Sequence, residues 1–317
     1  MALSIVMLAY PQMTQLDLTA PFEVFARLPG AKVDLVWKTP GPITDSSGLR
    51  LLPSATFADV SVCDVLFVPG GPGQLALMED AETLAFLKDM ASRAQYVTSV
   101  CTGSLVLAAA GLLTGYRATC HWLSLEQLAL FGVEPVPERV VVDRNRITGA
   151  GVTSGIDFAL QMAEIIAGGD EARRIGLSIE YDPAPPFEPL RDTDPALVAA
   201  VRERTAAFQQ RRAEVARDVA AQMGIVAWRA RPSAPLRQGQ PDPTSPEGPQ
   251  MKLYRYLTGP DDAAFCKRVS AALNKGWQLH GAPTLTFDPV KGRVICGQAI
   301  VKDAAGDWSD DVVLSDH

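Results

Sequence analysis

Residues 99–105, with the sequence Ser-Val-Cys-Thr-Gly-Ser-Leu, place a cysteine at the junction of two predicted elements. Residues 96–98 are aromatic and β-branched, which is typical of a short buried strand, and residues 105–110 are uninterrupted helix formers. A thiol at the first turn of a helix faces unpaired backbone N–H groups, which can lower its pKa from about 8.5 to roughly 3.5–7.5. The segment therefore predicts that Cys101 is a nucleophile on a sharp turn, present as a thiolate.

The other four cysteines differ from Cys101 because each lies in or beside an apolar run. They are Cys63, Cys120, Cys266 and Cys296. Such cysteines usually serve as small buried hydrophobic residues, so we expect only packing roles for them. No two cysteines have the close spacing of a zinc or redox pair, and an odd total without a secretory signal argues against a disulfide framework. We therefore expect a reducing compartment, the cytoplasm.

Asp17, in the segment Gln-Leu-Asp-Leu-Thr-Ala-Pro, is the candidate proton donor and acceptor. It follows the first predicted strand, within residues 1–10. A carboxyl group beside a thiolate in a closed pocket has its pKa raised by like charge and by desolvation, which suits general acid–base catalysis. Aspartate also caps helices, and a helix is predicted over residues 19–27. Capping and catalysis are compatible, so both interpretations of Asp17 stay open here.

The turn Pro69-Gly70-Gly71-Pro72-Gly73 follows a predicted strand and precedes a predicted helix. Glycines at such a position let backbone N–H groups approach a bound anion closely. The spacing is not that of a dinucleotide-binding motif, and a glycine-rich turn after a strand is more often plain turn chemistry. The turn gains functional meaning only through its pairing with Cys101.

Short aliphatic runs alternate with helical patterns, as in a parallel sheet covered by helices on both faces. Strands are predicted over residues 33–37, 65–68 and 96–98, and helices over residues 74–91, 103–110 and 155–167. The fold class is therefore α/β, a doubly wound, mostly parallel sheet sandwich. Ligands of such folds bind beyond the carboxyl ends of the strands, where the glycine-rich turn and Cys101 both fall.

Composition divides the chain into three parts. Residues 231–250 contain six prolines and two glycines, which indicates a linker. We predict a main domain over residues 1–228, a proline-rich linker over 229–251 and a small α+β domain over 252–310.

The charge of the chain does not indicate a nucleic-acid partner, because the formal net charge is −7 and the sequence has no Lys/Arg-rich run. The apolar N-terminal segment lacks a basic region and is interrupted at Pro11, so it is too short to span a membrane. We expect it to form a buried strand, and we expect no membrane partner.

Two further segments have predicted secondary structure but no candidate catalytic residues. Residues 195–223 have aliphatic side chains at helical spacing among many arginines, which predicts an amphipathic helix that closes the main domain. The tail predicts a strand over 252–257, a helix over 261–275 ended by Gly276, and a hairpin across 288–292 into 294–301. Its aromatic residues Tyr254, Tyr256 and Trp277 are expected mostly in the small core.

The order of Asp17, the Pro69-Gly70-Gly71 turn and Cys101 resembles the ThiJ/PfpI superfamily of class I glutamine-amidotransferase-like, flavodoxin-like proteins. Within it, residues 5–223 are similar to the isonitrile hydratase subgroup. Matching segments are Gln-Leu-Asp-Leu-Thr at 15–19, Ser-Ser-Gly-Leu at 46–49, residues 96–107, Arg-Ala-Thr at 117–119, His-Trp at 121–122 and residues 155–160. The tail resembles a small bacterial domain of unknown function.

The resemblance implies a role for each matching residue. Cys101 would be the nucleophile on a nucleophile elbow, Asp17 the acid/base and Thr102 a neighbour that tunes the site. Backbone N–H groups of Gly71 and Thr102 would stabilise an anion, and the residues binding substrate or anion would be Gly70, Gly71 and Thr153. Members with protease-like sites carry histidine directly after the cysteine, where this chain has Thr102, so a Cys-His dyad is not expected. His121 is read as structural, although a place at the crevice stays open.

The implied activity is hydration of isonitriles to N-substituted formamides by a hydro-lyase, through a covalent thioimidate on Cys101. The chemistry requires no metal or organic cofactor, its partner is a small-molecule isonitrile, and members of the superfamily are homodimers. One alternative is a glyoxalase or deglycase acting on reactive carbonyls, although those members generally carry glutamate at the position of Asp17. Another is a non-catalytic ligand sensor, because similar domains occur fused to AraC-type regulators. The tail is too short for that DNA-binding region.

Overall fold

The computed structural model describes residues 3–187, 193–229, 250–260, 262–288 and 293–305. These residues form two compact units, one ending at residue 229 and one beginning at residue 250. The linker predicted for residues 229–251 lies, apart from its ends, outside the described residues, and the three domain boundaries remain predictions.

A seven-stranded sheet forms the centre of the first unit. Its strands in chain order are β1 (Leu3–Leu8), β2 (Ala31–Trp37), β5 (Ala55–Thr56), β6 (Val65–Val68), β7 (Tyr96–Val100), β10 (Val140–Asp143) and β11 (Arg146–Gly149). The spatial order is β10-β11-β7-β6-β1-β2-β5, and every neighbouring pair is parallel except β10 with β11. The short strands β3 (Ile43–Thr44) and β4 (Arg50–Leu51) form one small ladder, and β8 (Arg117–Ala118) and β9 (Glu134–Pro135) form another.

Helices cover this sheet. They are α1 (Gln15–Phe25), α2 (Gln74–Leu77), α3 (Ala81–Arg93), α4 (Gly103–Ala109), α5 (Ser154–Ala167), α6 (Gly169–Ser178) and α7 (Pro195–Gln222), with 3-10 turns at Phe57–Asp59 and Leu125–Phe131. The central strand β6 is apolar at all four positions and completely buried, as expected for a strand covered on both faces. The predicted doubly wound, mostly parallel α/β fold is confirmed.

Two helix predictions need correction. The helix predicted over 74–91 is two helices, because the carboxylate of Asp80 accepts hydrogen bonds from the backbone N–H and hydroxyl of Thr83 and starts α3 anew. The helix predicted over 19–27 begins four residues earlier, at Gln15. That shift puts Asp17 inside the first turn of α1 instead of ahead of the helix.

The long helix α7 is buried only toward its C-terminal end. Its buried residues are Arg212, Val215, Ala216, Val219 and Ala220. In its N-terminal half Leu197 and Val201 are exposed, so the predicted apolar face is buried only in part. Among the described residues, no helix is long and apolar enough to cross a membrane.

The second unit is a small α+β structure. It contains β12 (Gln250–Pro260), α8 (Ala263–Asn274), β13 (Gln278–Asp288) and β14 (Arg293–Ala305), with β14 between the other two strands and antiparallel to both. Trp277 is buried in its core, whereas Tyr254 and Tyr256 are about half exposed. Cys266 is exposed, so a packing role for it is wrong: α8 turns the neighbouring Phe265 inward instead.

Candidate active site

Cys101 forms the turn between β7 and α4. Its φ of +57° lies in the left-handed region, which a residue with a side chain adopts only under constraint. Its backbone N–H donates to the carbonyl oxygens of Gly149 (3.0 Å) and Ala150 (2.7 Å), at the end of the neighbouring strand β11. The strained turn is thus fixed from the side, and the thiol is held at the carboxyl ends of the strands, 5% exposed.

The carboxyl group of Asp17 is completely buried and points to the glycine-rich turn. Its Oδ2 accepts a hydrogen bond from the Gly70 N–H at 3.0 Å. Its Oδ1 is buried and has no hydrogen-bond partner within the described part of the chain. The N-cap position of α1 is Thr14, so the helix-capping interpretation of Asp17 is wrong. The unpaired Oδ1 leaves this carboxyl group an acceptor site for a ligand or a proton.

Gly70 is surrounded by the reactive groups. A Cβ atom at this position would lie 2.5 Å from the Thr102 nitrogen, 2.8 Å from Asp17 Oδ2 and 2.8 Å from the Cys101 Cβ. No side chain fits in that space, so glycine here is required by the close approach of three site residues. The glycine-rich turn therefore belongs to the same site as Cys101 and Asp17.

The backbone N–H groups of the turn already have partners. The Gly71 N–H donates to the hydroxyl oxygen of Thr102 at 3.0 Å, and the Gly70 N–H donates to Asp17. The Thr102 N–H weakly opposes the burial that raises the pKa of the Cys101 thiol. An anion that used the Gly71 N–H would have to displace the Thr102 hydroxyl first.

Burial controls the protonation of the site. It raises the pKa of Asp17 to about 7, and hydrogen bonds from Cys101 and Gly70 only partly oppose it. Burial, and next the charge of Asp17, raise the pKa of Cys101 well above its usual value. The resting thiolate predicted from the helix start is therefore wrong: the thiol has lost its water and faces a carboxylate. Near neutral pH the thiol is therefore protonated, and Asp17 is the group of the pair that exchanges a proton.

Three further groups, missed by sequence reasoning, interact with the residues of the site. Tyr10 is completely buried and donates from its hydroxyl to the Pro69 carbonyl oxygen at 2.9 Å. Cys120 is close enough for its charge to raise the pKa of Cys101. Arg212 of α7 interacts electrostatically with Tyr10, Cys101 and Cys120. No local motif marked these residues, because their proximity depends on chain segments that are distant in sequence.

Two sequence-predicted residues lie outside the cluster. Thr153 is exposed at the start of α5, and its carbonyl and hydroxyl oxygens accept from Arg139 at 3.0 and 3.5 Å. His121 accepts from the Leu123 N–H through Nδ1 at 3.3 Å, and burial lowers its pKa. Its ring packs on Gly151, whose Cβ would lie 3.0 Å from His121 Cδ2. His121 thus borders the site in neutral form, and the structure gives no hydrogen bond from it to Cys101.

The sequence model of the DJ-1/PfpI family matches residues 3–165 of this chain. The chain belongs to the DJ-1/PfpI family. The resemblance to the ThiJ/PfpI superfamily is thereby confirmed. Residues 251–303 match a domain of unknown function, DUF1737, in agreement with the resemblance noted for the tail.

Several DJ-1/PfpI relatives can be compared with this chain. It is 51% identical to the isonitrile hydratase of Pseudomonas putida over 227 residues, which are 71% of this chain and 100% of that protein. A ThiJ/PfpI family protein from Pseudomonas syringae has a similar crystal structure, with 48% identity, a TM-score of 0.66 and coverage of 68% of this chain and 91% of that one. The glutathione-independent glyoxalase DJR-1.2 of Caenorhabditis elegans is 27% identical over 136 residues, 42% of this chain and 73% of that protein.

Proposed function

We propose that this protein is an isonitrile hydratase, a hydro-lyase that converts isonitriles to N-substituted formamides. The observation that carries the proposal is the 51% identity to the Pseudomonas putida isonitrile hydratase over the full length of that protein. The site supports it, because a cysteine and an aspartate with a pKa near 7 converge on one glycine at the strand ends. These are the groups that nucleophilic addition with proton transfer needs.

In the first half-reaction, Asp17 takes the proton of the Cys101 thiol. The sulfur attacks the terminal carbon of the isonitrile and forms an S–C bond. Asp17 then delivers the proton to that carbon, which gives a covalent thioimidate. A carboxyl group with a pKa of about 7 exchanges protons in both directions at neutral pH, which this sequence of transfers requires.

In the second half-reaction, water adds to the thioimidate carbon. Asp17 accepts a proton from the water as the C–O bond forms and passes that proton to the imine nitrogen. Collapse of the tetrahedral intermediate breaks the C–S bond and leaves the N-substituted formamide, and the hydroxyl proton returns to the sulfur through Asp17. The unpaired Asp17 Oδ1 is the atom that we propose receives the water proton.

The remaining predicted residues have supporting roles in the proposal. Gly70 orients Asp17 through its N–H, and Thr102 occupies the Gly71 N–H until negative charge develops on the substrate. Donors directed at developing charge are often the largest contribution to catalysis. Thr153 contributes to substrate binding only if the start of α5 moves toward the thiol. We also propose that the protein is a cytoplasmic homodimer, as the family resemblance implies.

The test compares two substrate classes on the purified protein. Ultraviolet absorbance follows the conversion of an aryl isonitrile to its N-formamide, and methylglyoxal is offered as the competing substrate. We expect formamide production and no loss of methylglyoxal. Turnover of methylglyoxal without formamide production would indicate a glyoxalase. No turnover of either substrate would favour a non-catalytic sensor.

The covalent step has its own readout. Acid quenching during turnover, followed by mass spectrometry of the intact protein and its peptides, should show one isonitrile added to the peptide that contains Cys101. The added mass should exclude the water molecule. An adduct on Cys63 or Cys120 instead would contradict the assignment of the nucleophile.

A further inference from the structure

The buried face of α7 begins with a charged residue. Its buried positions are 212, 215, 216, 219 and 220, which form one stripe at helical spacing. Four of these residues are valine or alanine, and the first is Arg212, only 5% exposed. Arginine is rarely buried to this extent unless it is paired, so its surroundings need an explanation.

The hydrogen bonds of Arg212 go to neutral groups. Its Nη1 donates to Ser124 Oγ at 2.7 Å and to Gln209 Oε1 at 3.2 Å. Its guanidinium carbon lies 4.6 Å from the centre of the Phe208 ring. Its Nε is buried without a partner, and in the described part of the chain no carboxylate lies within 4.0 Å of the group. The positive charge is therefore not neutralised by a carboxylate among the residues that the structure describes.

The groups that interact electrostatically with the Arg212 guanidinium belong to the candidate active site. Burial lowers the pKa of Arg212, and interactions with Cys120, Cys101 and Tyr10 partly oppose this effect. The guanidinium stays protonated, because the ordinary pKa of arginine is above 12. Each of these three groups is neutral when protonated and negative when it is not. The charge of Arg212 lowers the pKa of Tyr10 and of Cys120, against the larger effect of burial. A buried positive charge beside these groups also favours the ionised form of the Cys101 thiol.

Arg212 also contacts the segment beside the elbow. Its partner Ser124 is buried, and the Ser124 N–H donates to the His121 carbonyl oxygen at 2.8 Å. The ring of His121 packs on Gly151, which directly follows Ala150, an acceptor of the Cys101 N–H. A chain of direct contacts therefore connects the guanidinium to the strained turn.

We propose that Arg212 is a positioning residue of the Cys101 site, whose buried guanidinium balances the negative charge formed at the sulfur and holds the 121–124 turn against the strand end. This rests on the proposed role of Cys101 as the nucleophile. The positive charge compensates the burial and the Asp17 carboxylate, which both oppose thiolate formation. In a medium of effective dielectric constant about 20, a unit charge at a separation of roughly 5–15 Å shifts a pKa by about one to two units.

The experiment measures the reactivity of Cys101 without any substrate, so its outcome is independent of whether isonitriles are hydrated. The full-length protein is alkylated with iodoacetamide from pH 6 to 11, and peptide mass spectrometry gives the rate at Cys101 separately from the exposed Cys266. The midpoint of the pH profile reports the ionisation of the thiol in its surroundings. The ionisable or charged groups that face Cys101 are Asp17 from α1, Tyr10 after β1, Cys120 and His121 after β8, and Arg212 from α7.

Three variants of Arg212 separate charge from shape. Arg212→Met and Arg212→Gln remove the charge, and the glutamine keeps a donor toward Ser124 in case the methionine variant does not fold. Arg212→Lys keeps the charge. We expect the midpoint at Cys101 to rise by about one pH unit in the neutral variants, so that alkylation at a fixed pH below the midpoint slows about tenfold. The lysine variant should stay within a few tenths of a unit of wild type.

Arg211→Met is the matched control, because Arg211 is an exposed neighbour that pairs loosely with Glu214 at 3.9 Å. It removes the same formal charge from the chain and should leave the midpoint unchanged. A folded neutral variant of Arg212 with the wild-type midpoint would overturn the proposal. So would a lysine variant that shifts as far as the neutral ones, because shape and not charge would then be responsible.

Discussion

Asp17 occupies an environment very different from that of a free side chain in water. It lies in the first turn of α1, is completely buried, and has a pKa of about 7. The folded state therefore binds the proton of Asp17 more tightly than the unfolded chain does. The resulting stabilisation is fully present below the unfolded pKa, near pH 4, and is lost as the pH rises through about 7.

Asp17→Asn should remove this pH dependence, because the amide cannot ionise. We expect the free energy of unfolding of the variant, relative to wild type, to increase by about 2–3 kcal/mol between pH 5 and pH 8. Urea unfolding at the two pH values measures it. Asp45→Asn is the control: hydrogen bonds from Ser47 and Leu49 outweigh burial and hold the pKa of Asp45 below its usual value. Asp45 is therefore ionised in both the folded and the unfolded state between pH 5 and pH 8, and its substitution should leave the difference from wild type unchanged over that range. A pH-independent difference for Asp17→Asn would contradict the assigned protonation.

Thr102→Val should destabilise the protein, because it leaves the Gly71 N–H buried without an acceptor. The expected loss is about 1–3 kcal/mol in the free energy of unfolding. Thr102→Ser keeps the oxygen and should lose less than about 1 kcal/mol. Denaturant titration measures the free energy of unfolding of the two variants. Equal losses in Thr102→Val and Thr102→Ser would contradict a stabilising role of the hydrogen bond to the Gly71 N–H.

At the level of elements, the approach of α4 to the end of β6 depends on Gly103. A Cβ at Gly103 would collide with the backbone carbonyl oxygen of Val68 and lie 2.8 Å from that of Pro69. Gly103→Ala should therefore lower the free energy of unfolding by about 3 kcal/mol or more, although alanine favours helices over glycine.

Gly176→Ala in α6 is the matched variant for Gly103→Ala. Its nearest heavy atom, Cδ2 of Leu160, is 3.9 Å from the added Cβ, so the substitution should stabilise by about 0.4–1 kcal/mol. Thermal unfolding compares the two. Equal effects of the two substitutions would mean that the elbow tolerates movement of α4.

The order of the central elements was predictable, because the strands are short aliphatic runs and the elbow is a local motif. The boundary between α2 and α3 carried a signal too, since Asp80 and Thr83 have the spacing of an N-cap and its partner. Protonation at the site was not predictable from local sequence. The helix start alone favours a thiolate, while burial by distant segments raises the pKa of Cys101.

Contacts between distant segments were equally hidden in the sequence. Gly70 and Asp17 are 53 residues apart, and Arg212 and Ser124 are 88 residues apart. The glycine-rich turn showed that the backbone approaches something closely, but not which residues. In α7 the many exposed arginines concealed the buried one, because Arg212 occupies the position of an aliphatic residue on the inward stripe.

At the level of the whole molecule, the second unit is expected to be dispensable for turnover. The Pseudomonas putida isonitrile hydratase is matched over 100% of its length by 227 residues of this chain, so it has no counterpart of the DUF1737 region. Deleting everything after Arg231 should leave kcat and KM for an aryl isonitrile within about twofold of full-length values. A loss of turnover in a folded truncation would mean that the second unit completes or gates the site.

The central claim is that Cys101 performs the chemistry on an isonitrile. The most direct test is the steady-state rate of N-formamide formation by Cys101→Ala, with Cys63→Ala, another buried cysteine, as the control. We predict that the first variant loses at least about 1,000-fold in kcat, as expected when a nucleophile is removed, and that the second stays near wild type. Formamide production by folded Cys101→Ala within tenfold of wild type would contradict the account.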